Sequence, residues 1–242
     1  DTSRGDFRRT APEIEIRETP RRADIQGHLL LGQQKLAAGD VAGAEQAARQ
    51  ALRIDAASAP AHTLQGLVHE ARGQQAQAGR AYEKALSLAP AQGTMLNNYG
   101  AWLCRNGRAA EALGQFERAL AAPGYATPAA ASANLGACAH EIGDPRAEAA
   151  LQQAIQLDPT NALALGVLAQ RALQQGDALR ARAFSERRLA AAPADARALR
   201  IASQIEDRLG DSRAAEAYRR RLRAEFPHAA SESDAMGQNG AR

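Results

Sequence analysis

The feature that most constrains this chain is a phase-locked repeat of 34 residues. A glycine is followed five residues later by an alanine at Gly39/Ala44, Gly73/Ala78, Gly107/Ala112, Gly176/Ala181 and Gly210/Ala215. Other small residues keep the same phase. Gly32, Gly66, Gly100 and Ala169 each lie seven residues before a turn glycine, and Ala51, Ala85 and Ala119 lie twelve after one. Pro90, Pro193 and Pro227 follow the turn glycine by seventeen. A period in this range signals stacked supersecondary units that cannot bury an apolar face alone. Glycine supplies the backbone freedom to end a helix, alanine lets helices approach, and proline stops the second helix. Composition agrees. Alanine, the best helix former, accounts for 60 of the 242 residues, whereas aromatics are only 4%.

This pattern resembles the tetratricopeptide repeat. The expected fold class is all-α: a right-handed superhelical solenoid of six helix-turn-helix pairs at 25–58, 59–92, 93–128, 129–161, 162–195 and 196–229. Helix A of each pair is expected to line the concave side. There are departures. No repeat has the usual tryptophan at position 4, and Ala56 replaces the first closing proline. A longer linker runs Ala122 to Pro128, and the turn Gly143–Arg146 is one residue short. Residues 1–24, with six arginines and six acids, read as a polar arm or linker. Within them Glu13–Ile16 alternates like a short strand. Residues 230–242 read as a disordered tail.

Charge and motifs exclude several functions. The net charge of +3 is too small for a nucleic-acid binder. No apolar run spans a membrane. No metalloprotease, phosphate-loop or nucleophile-elbow motif occurs, so the expectation is a non-enzyme with no catalytic residues, no cofactor and no metal. His28 and His62 fall 34 residues apart, but two histidines do not complete a zinc site. Eight arginines against five acids in 196–227 leave a surplus of three, concentrated in Arg219, Arg220, Arg221 and Arg223. That stripe reads first as a solvated capping face and second as a contact for anionic headgroups or an acidic partner.

Two constellations bear on binding. Leu29, Leu36, Leu64, Leu67, Asn97, Asn98 and Asn134 fall at helix-A groove positions and are the candidate partner contacts. Leucines accept an apolar stripe, and amides pair with an extended backbone. A single leucine there is equally readable as inter-repeat core. A carboxylate clamp is not expected, because the first four repeats place only Arg105 in the groove. Cys104 and Cys138 lie one repeat apart. Two readings stay open on spacing: a disulfide tying the third repeat to the fourth, or two small buried thiols.

A narrower likeness sits in the third and fourth repeats. The string Leu96-Asn97-Asn98-Tyr99-Gly100-Ala101-Trp102-Leu103-Cys104 is followed by Gly107, Ala112, Phe116 and the linker Ala121-Ala122-Pro123-Gly124-Tyr125. Then come Ala133-Asn134-Leu135-Gly136 and Cys138, and the last helix closes on Arg223 to Pro227. This resembles the PilF/PilW family of type IV pilus biogenesis and stability proteins. The resemblance implies a pilotin: an outer-membrane lipoprotein facing the periplasm that helps a PilQ-like secretin subunit localise and multimerise. Other pilus assembly proteins are possible partners. No nucleic acid is implied, and the membrane is met only through a lipid anchor on an N-terminal cysteine that this chain lacks. Residues 1–24 would then be the former tether. An oxidising periplasm favours the disulfide reading. The rival function is a generic repeat adaptor assembling some other complex.

Overall fold

The computed structural model describes residues 13–229, with side chains from Arg22 onward. Two compact units divide the chain, one ending at Pro123 and the other starting at Gly124. The first unit holds α1 (Glu13–Ala37), α2 (Val41–Ile54), α3 (Ala59–Ala71), α4 (Gln75–Leu88), α5 (Gly93–Arg105) and α6 (Ala109–Ala121). The second holds α7 (Pro128–Glu141), α8 (Arg146–Leu157), α9 (Ala162–Gln174), α10 (Ala178–Ala191), α11 (Ala196–Leu209) and α12 (Ser212–Glu225). Residues 227–229 are again helical. No strand occurs among the described residues.

Each unit stacks three antiparallel helical hairpins, and one device makes every hairpin turn. The glycines at 39, 73, 107, 143, 176 and 210 all have φ between +69° and +83°. In the first turn, the Asp40 N–H reaches back to the Lys35 carbonyl at 2.8 Å. Equivalent bonds join Gln74 to His69, Arg108 to Leu103, Asp144 to Ala139, Asp177 to Ala172 and Asp211 to Glu206. These return bonds satisfy carbonyls that the helix end would leave bare, and glycine takes the left-handed conformation without a Cβ penalty. Asp40, Asp177 and Asp211 then cap the next helix by accepting from the N–H of Gly43, Arg180 and Ala214. Helix B ends at Leu88, Ala191 and Glu225, each two residues before Pro90, Pro193 or Pro227. Where Ala56 replaces proline, the Asp55 carboxylate accepts from the Ala57 N–H at 2.9 Å and turns the chain instead.

Helix A meets helix B over glycine. A Cβ on Gly66 would lie 2.7 Å from the Tyr82 ring, and one on Gly100 would lie 2.8 Å from the Phe116 ring. Gly32 differs, because its neighbour is Leu64 of the next helix A rather than its own helix B. The recurrent alanines Ala44, Ala78, Ala112, Ala181 and Ala215 are fully buried. The core of the second unit gathers Ala133, Leu151, Ala154, Leu165, Leu168, Phe184 and Ile205, and a cluster shared by the first two hairpins joins Leu29, Ala48, Ala51 and Leu64.

One expectation is corrected here. Residues 13–24 are not a linker, and Glu13–Ile16 is not a strand: both lie in α1, continuous with the first helix A. A nucleated helix extends cheaply into good helix formers such as Glu and Arg, so polar composition does not halt it. The remainder of the expected arm, 1–12, and the expected tail, 230–242, lie outside the described residues.

Candidate functional site

In the first unit, the A helices α1, α3 and α5 enclose an open cleft of about 450 Å³. Helix α1 contributes Leu29 and Gln33, α3 contributes Pro60, Thr63, Leu64 and Leu67, and α5 with its cap contributes Gln92, Thr94, Met95 and Asn98. The floor is Leu29, Leu64, Thr63 and Met95, all buried. The Thr63 hydroxyl donates to the Ala59 carbonyl at 3.1 Å and lies 3.2 Å from Met95 Sδ, so the floor's polar atom is satisfied internally. The rim is formed by exposed Gln33, Gln92 and Thr94, with Leu67 at 37% exposure. Among the described residues, no charged side chain lines this cleft. An apolar floor with an amide rim matches an extended uncharged segment offering an aliphatic side chain and peptide groups.

The candidate contacts separate on this geometry. Leu29, Leu64, Leu67 and Asn98 line the cleft. Leu36 is half-buried and packs against the Leu29–Ala48–Ala51–Leu64 cluster, not in the cleft. Asn97 is buried at 8% exposure. Asn134 belongs to α7 of the second unit and is half-buried. Pro60, Gln92 and Met95 carry weight that groove positions did not announce. They sit at helix starts, where the chain enters the hairpin.

Arg105 supplies no free cation to this unit. Its Nη2 and Nε donate to Glu70 Oε1 at 2.8 and 3.1 Å, and the Tyr82 hydroxyl donates to Glu70 Oε2 at 2.6 Å. Burial and the Glu70 carboxylate both push the Tyr82 phenol well above its ordinary range. Two of the histidines are likewise occupied: His62 bonds the Ala56 carbonyl and Gln65, and His69 bonds Gln74. Among the described residues no group of three His, Cys, Asp or Glu side chains is arranged to hold a metal. Among the described residues no helix is long and apolar enough to cross a membrane. Cys104 of α5 and Cys138 of α7 are both disulfide-bonded, and neither is a free thiol.

The arginine stripe of α12 is mostly spent on acids of its own hairpin. Arg219 pairs with Asp207 and Glu216, Arg221 with Glu225, and Arg223 with Glu216. Of the four, Arg220 is exposed with no acidic partner among the described residues. The surplus charge is thus a solvated, internally paired face.

Repeated helical hairpins with an A-helix cleft define the tetratricopeptide-repeat fold, a scaffold for holding other proteins. The tetratricopeptide-repeat family profile matches residues 59–92. Among solved structures, the chain is similar to PilW, described as a widely conserved type IV pilus biogenesis factor, with 28% identity and a TM-score of 0.72 over 84% of this chain and 94% of that one. It has the fold of Pseudomonas aeruginosa PilF, with 23% identity and a TM-score of 0.73 over 90% of this chain and 99% of that one. An uncharacterized protein of Haemophilus influenzae is 35% identical over 79 residues, a match that spans 33% of this chain and 44% of that relative.

Proposed function

We propose that this chain is a non-enzymatic scaffold of type IV pilus biogenesis that acts as a pilotin. It holds a secretin subunit while the channel reaches the outer membrane and multimerises. The observation that carries the reading is the joint one. Similarity to PilW extends over 84% of the chain, and the first unit carries an uncharged cleft fit for a protein segment. Leu67 and Asn98 are the accessible contacts, over a floor of Leu29 and Leu64. The protein performs no chemistry on its partner; binding shifts where and with what neighbours the subunit assembles. The working place is the periplasmic face of the outer membrane, with a lipid on the N-terminal side as tether. An oxidising compartment also suits the disulfide-bonded Cys104 and Cys138.

The test is genetic and biochemical together. Cells carrying Leu67→Glu with Asn98→Ala should lose heat-stable secretin multimers and surface pili while keeping normal levels of the folded scaffold. Intact multimers and pili would sink the site, and secretin multimers unaffected by complete deletion of the gene would sink the pilotin reading in favour of an adaptor for another complex.

A further inference from the structure

The second unit has a cleft of its own, of about 290 Å³, that the reading above does not use. Its floor comes from one face of α9, Leu163, Gly166 and Val167, facing Ile201 of α11. Leu163 is 43% exposed, a large aliphatic side chain left at the mouth. Two arginines line the cleft, and they are in different states. Arg188 is consumed by the scaffold: it bonds the carbonyls of Ala192 and Pro193, both at 3.2 Å, and the Asp195 carboxylate at 2.7 Å. Arg197 is exposed and bonds only a neutral amide, Gln170 Oε1. Asp195 also lines the cleft, with its carboxylate taken by Arg188, so among the described residues Arg197 is the lining cation paired with no carboxylate, beside an aliphatic floor.

Gly166 is the second, independent observation. Glycine inside a helix costs about 1 kcal/mol relative to alanine. At Gly66, Gly100 and Gly136 packing requires it, since a Cβ would lie within 2.8 Å of a neighbouring helix. At Gly166 packing does not: the nearest atom to a Cβ would be Arg188 Cδ at 3.9 Å, an ordinary contact. The glycine leaves a stretch of α9 in the cleft lining without a side chain, beside the Arg188 stem, and such a stretch lets another chain approach closely.

We propose that this cleft is a second peptide site. It takes one aliphatic side chain of an extended partner segment against Leu163, Val167 and Ile201, and an acidic side chain of that segment on Arg197. An internal Asp or Glu fits better than a chain terminus, because a terminal carboxylate is held by several cations and Arg197 stands alone. In an extended segment alternate side chains are about 7 Å apart, so the acid falls within about two residues of the aliphatic anchor.

The test uses the whole chain as bait for random dodecapeptides displayed on phage with no free carboxyl terminus. Selection should enrich Val, Ile or Leu within two positions of Asp or Glu. The enriched peptide, made synthetically with amidated ends and a fluorescent label, should bind about tenfold more weakly to Arg197→Gln and to Gly166→Leu, each with unchanged helicity. Arg220→Gln, which removes a charge elsewhere in the unit, should leave binding unchanged. The proposal is overturned if no aliphatic–acidic pair is enriched. It is equally overturned if the pair survives on Arg197→Gln, or if Gly166→Leu binds like the parent.

Discussion

Two glycine-to-alanine changes in neighbouring repeats of the second unit should move stability in opposite directions. On Gly136 the new Cβ would lie 2.6 Å from Leu151 Cγ and 2.9 Å from the Leu151 backbone nitrogen. Leu151 is fully buried, and a backbone atom in a helix cannot turn aside as a flexible side-chain tip does. Overpacking of this kind costs about 1–3 kcal/mol, and the backbone contact puts it near the upper end. Relief of the helix-interior glycine returns about 1 kcal/mol. The net expectation for Gly136→Ala is a loss of about 1–2 kcal/mol. At Gly166 only the propensity gain operates, so Gly166→Ala should stabilise by about 0.5–1 kcal/mol. Urea unfolding followed by circular dichroism at 222 nm reads both. With a slope of about 2 kcal/mol per molar, the midpoints should fall by about 0.5–1 M and rise by about 0.3–0.5 M respectively. If Gly136→Ala were as stable as the parent, or both variants moved together, close helix approach would not be what dictates the glycines seven residues before each turn.

Three further outcomes follow from the same physics. Tyr82→Phe removes a buried hydroxyl that donates to Glu70 at 2.6 Å, and should cost about 1.5–3 kcal/mol in chemical denaturation, as for other bonds to a charged acceptor. Cys104 and Cys138 are both disulfide-bonded, so the parent should give no thiol labelling until reduced, and replacing both by serine should lower stability in chemical denaturation by about 2–4 kcal/mol. Acid should weaken the fold in two stages. His140 is held below its ordinary 6.5 by burial and by Arg171 and Arg197, so the unfolded chain binds that proton first and stability begins to fall below about pH 6.5. The second stage lies below about pH 4.5. The Arg72 hydrogen bond lowers Glu45, the Arg146 bonds bring Asp144 to about 2, and Arg223 and Arg219 lower Glu216. A group lowered in the folded state contributes fully above its unfolded value and is lost as pH falls through the folded one. In thermal melts across pH, His140→Gln should flatten the first stage and leave the second.

Much of the architecture was legible in the sequence because each repeat marker answers a backbone demand. A turn glycine, a buried alanine or a stop proline has one physical job wherever it occurs. The start of α1 was hidden for the converse reason: the residues before 25 carry no marker, and polar residues propagate a helix as readily as they form a loop. The cleft was half legible. Leu64 and Leu67 sit on one helix face, yet the first is 3% exposed and the second 37%. Only the neighbouring helix, packing Gly32 against Leu64, decides which is floor and which is rim. The α12 arginines read correctly as a solvated face, but their partners were hidden in the same way. Their run is visible in the chain, but the Asp207 that pairs with Arg219 comes from α11.

The measurement that bears most directly on the central claim is a binding titration between this chain and purified periplasmic fragments of the secretin subunit. The account predicts that one fragment binds saturably. Leu67→Glu, which puts a charge on the rim of an uncharged apolar cleft, should weaken it at least about tenfold at unchanged helicity. Equal affinity of parent and Leu67→Glu for every fragment, or no binding at all, would contradict it.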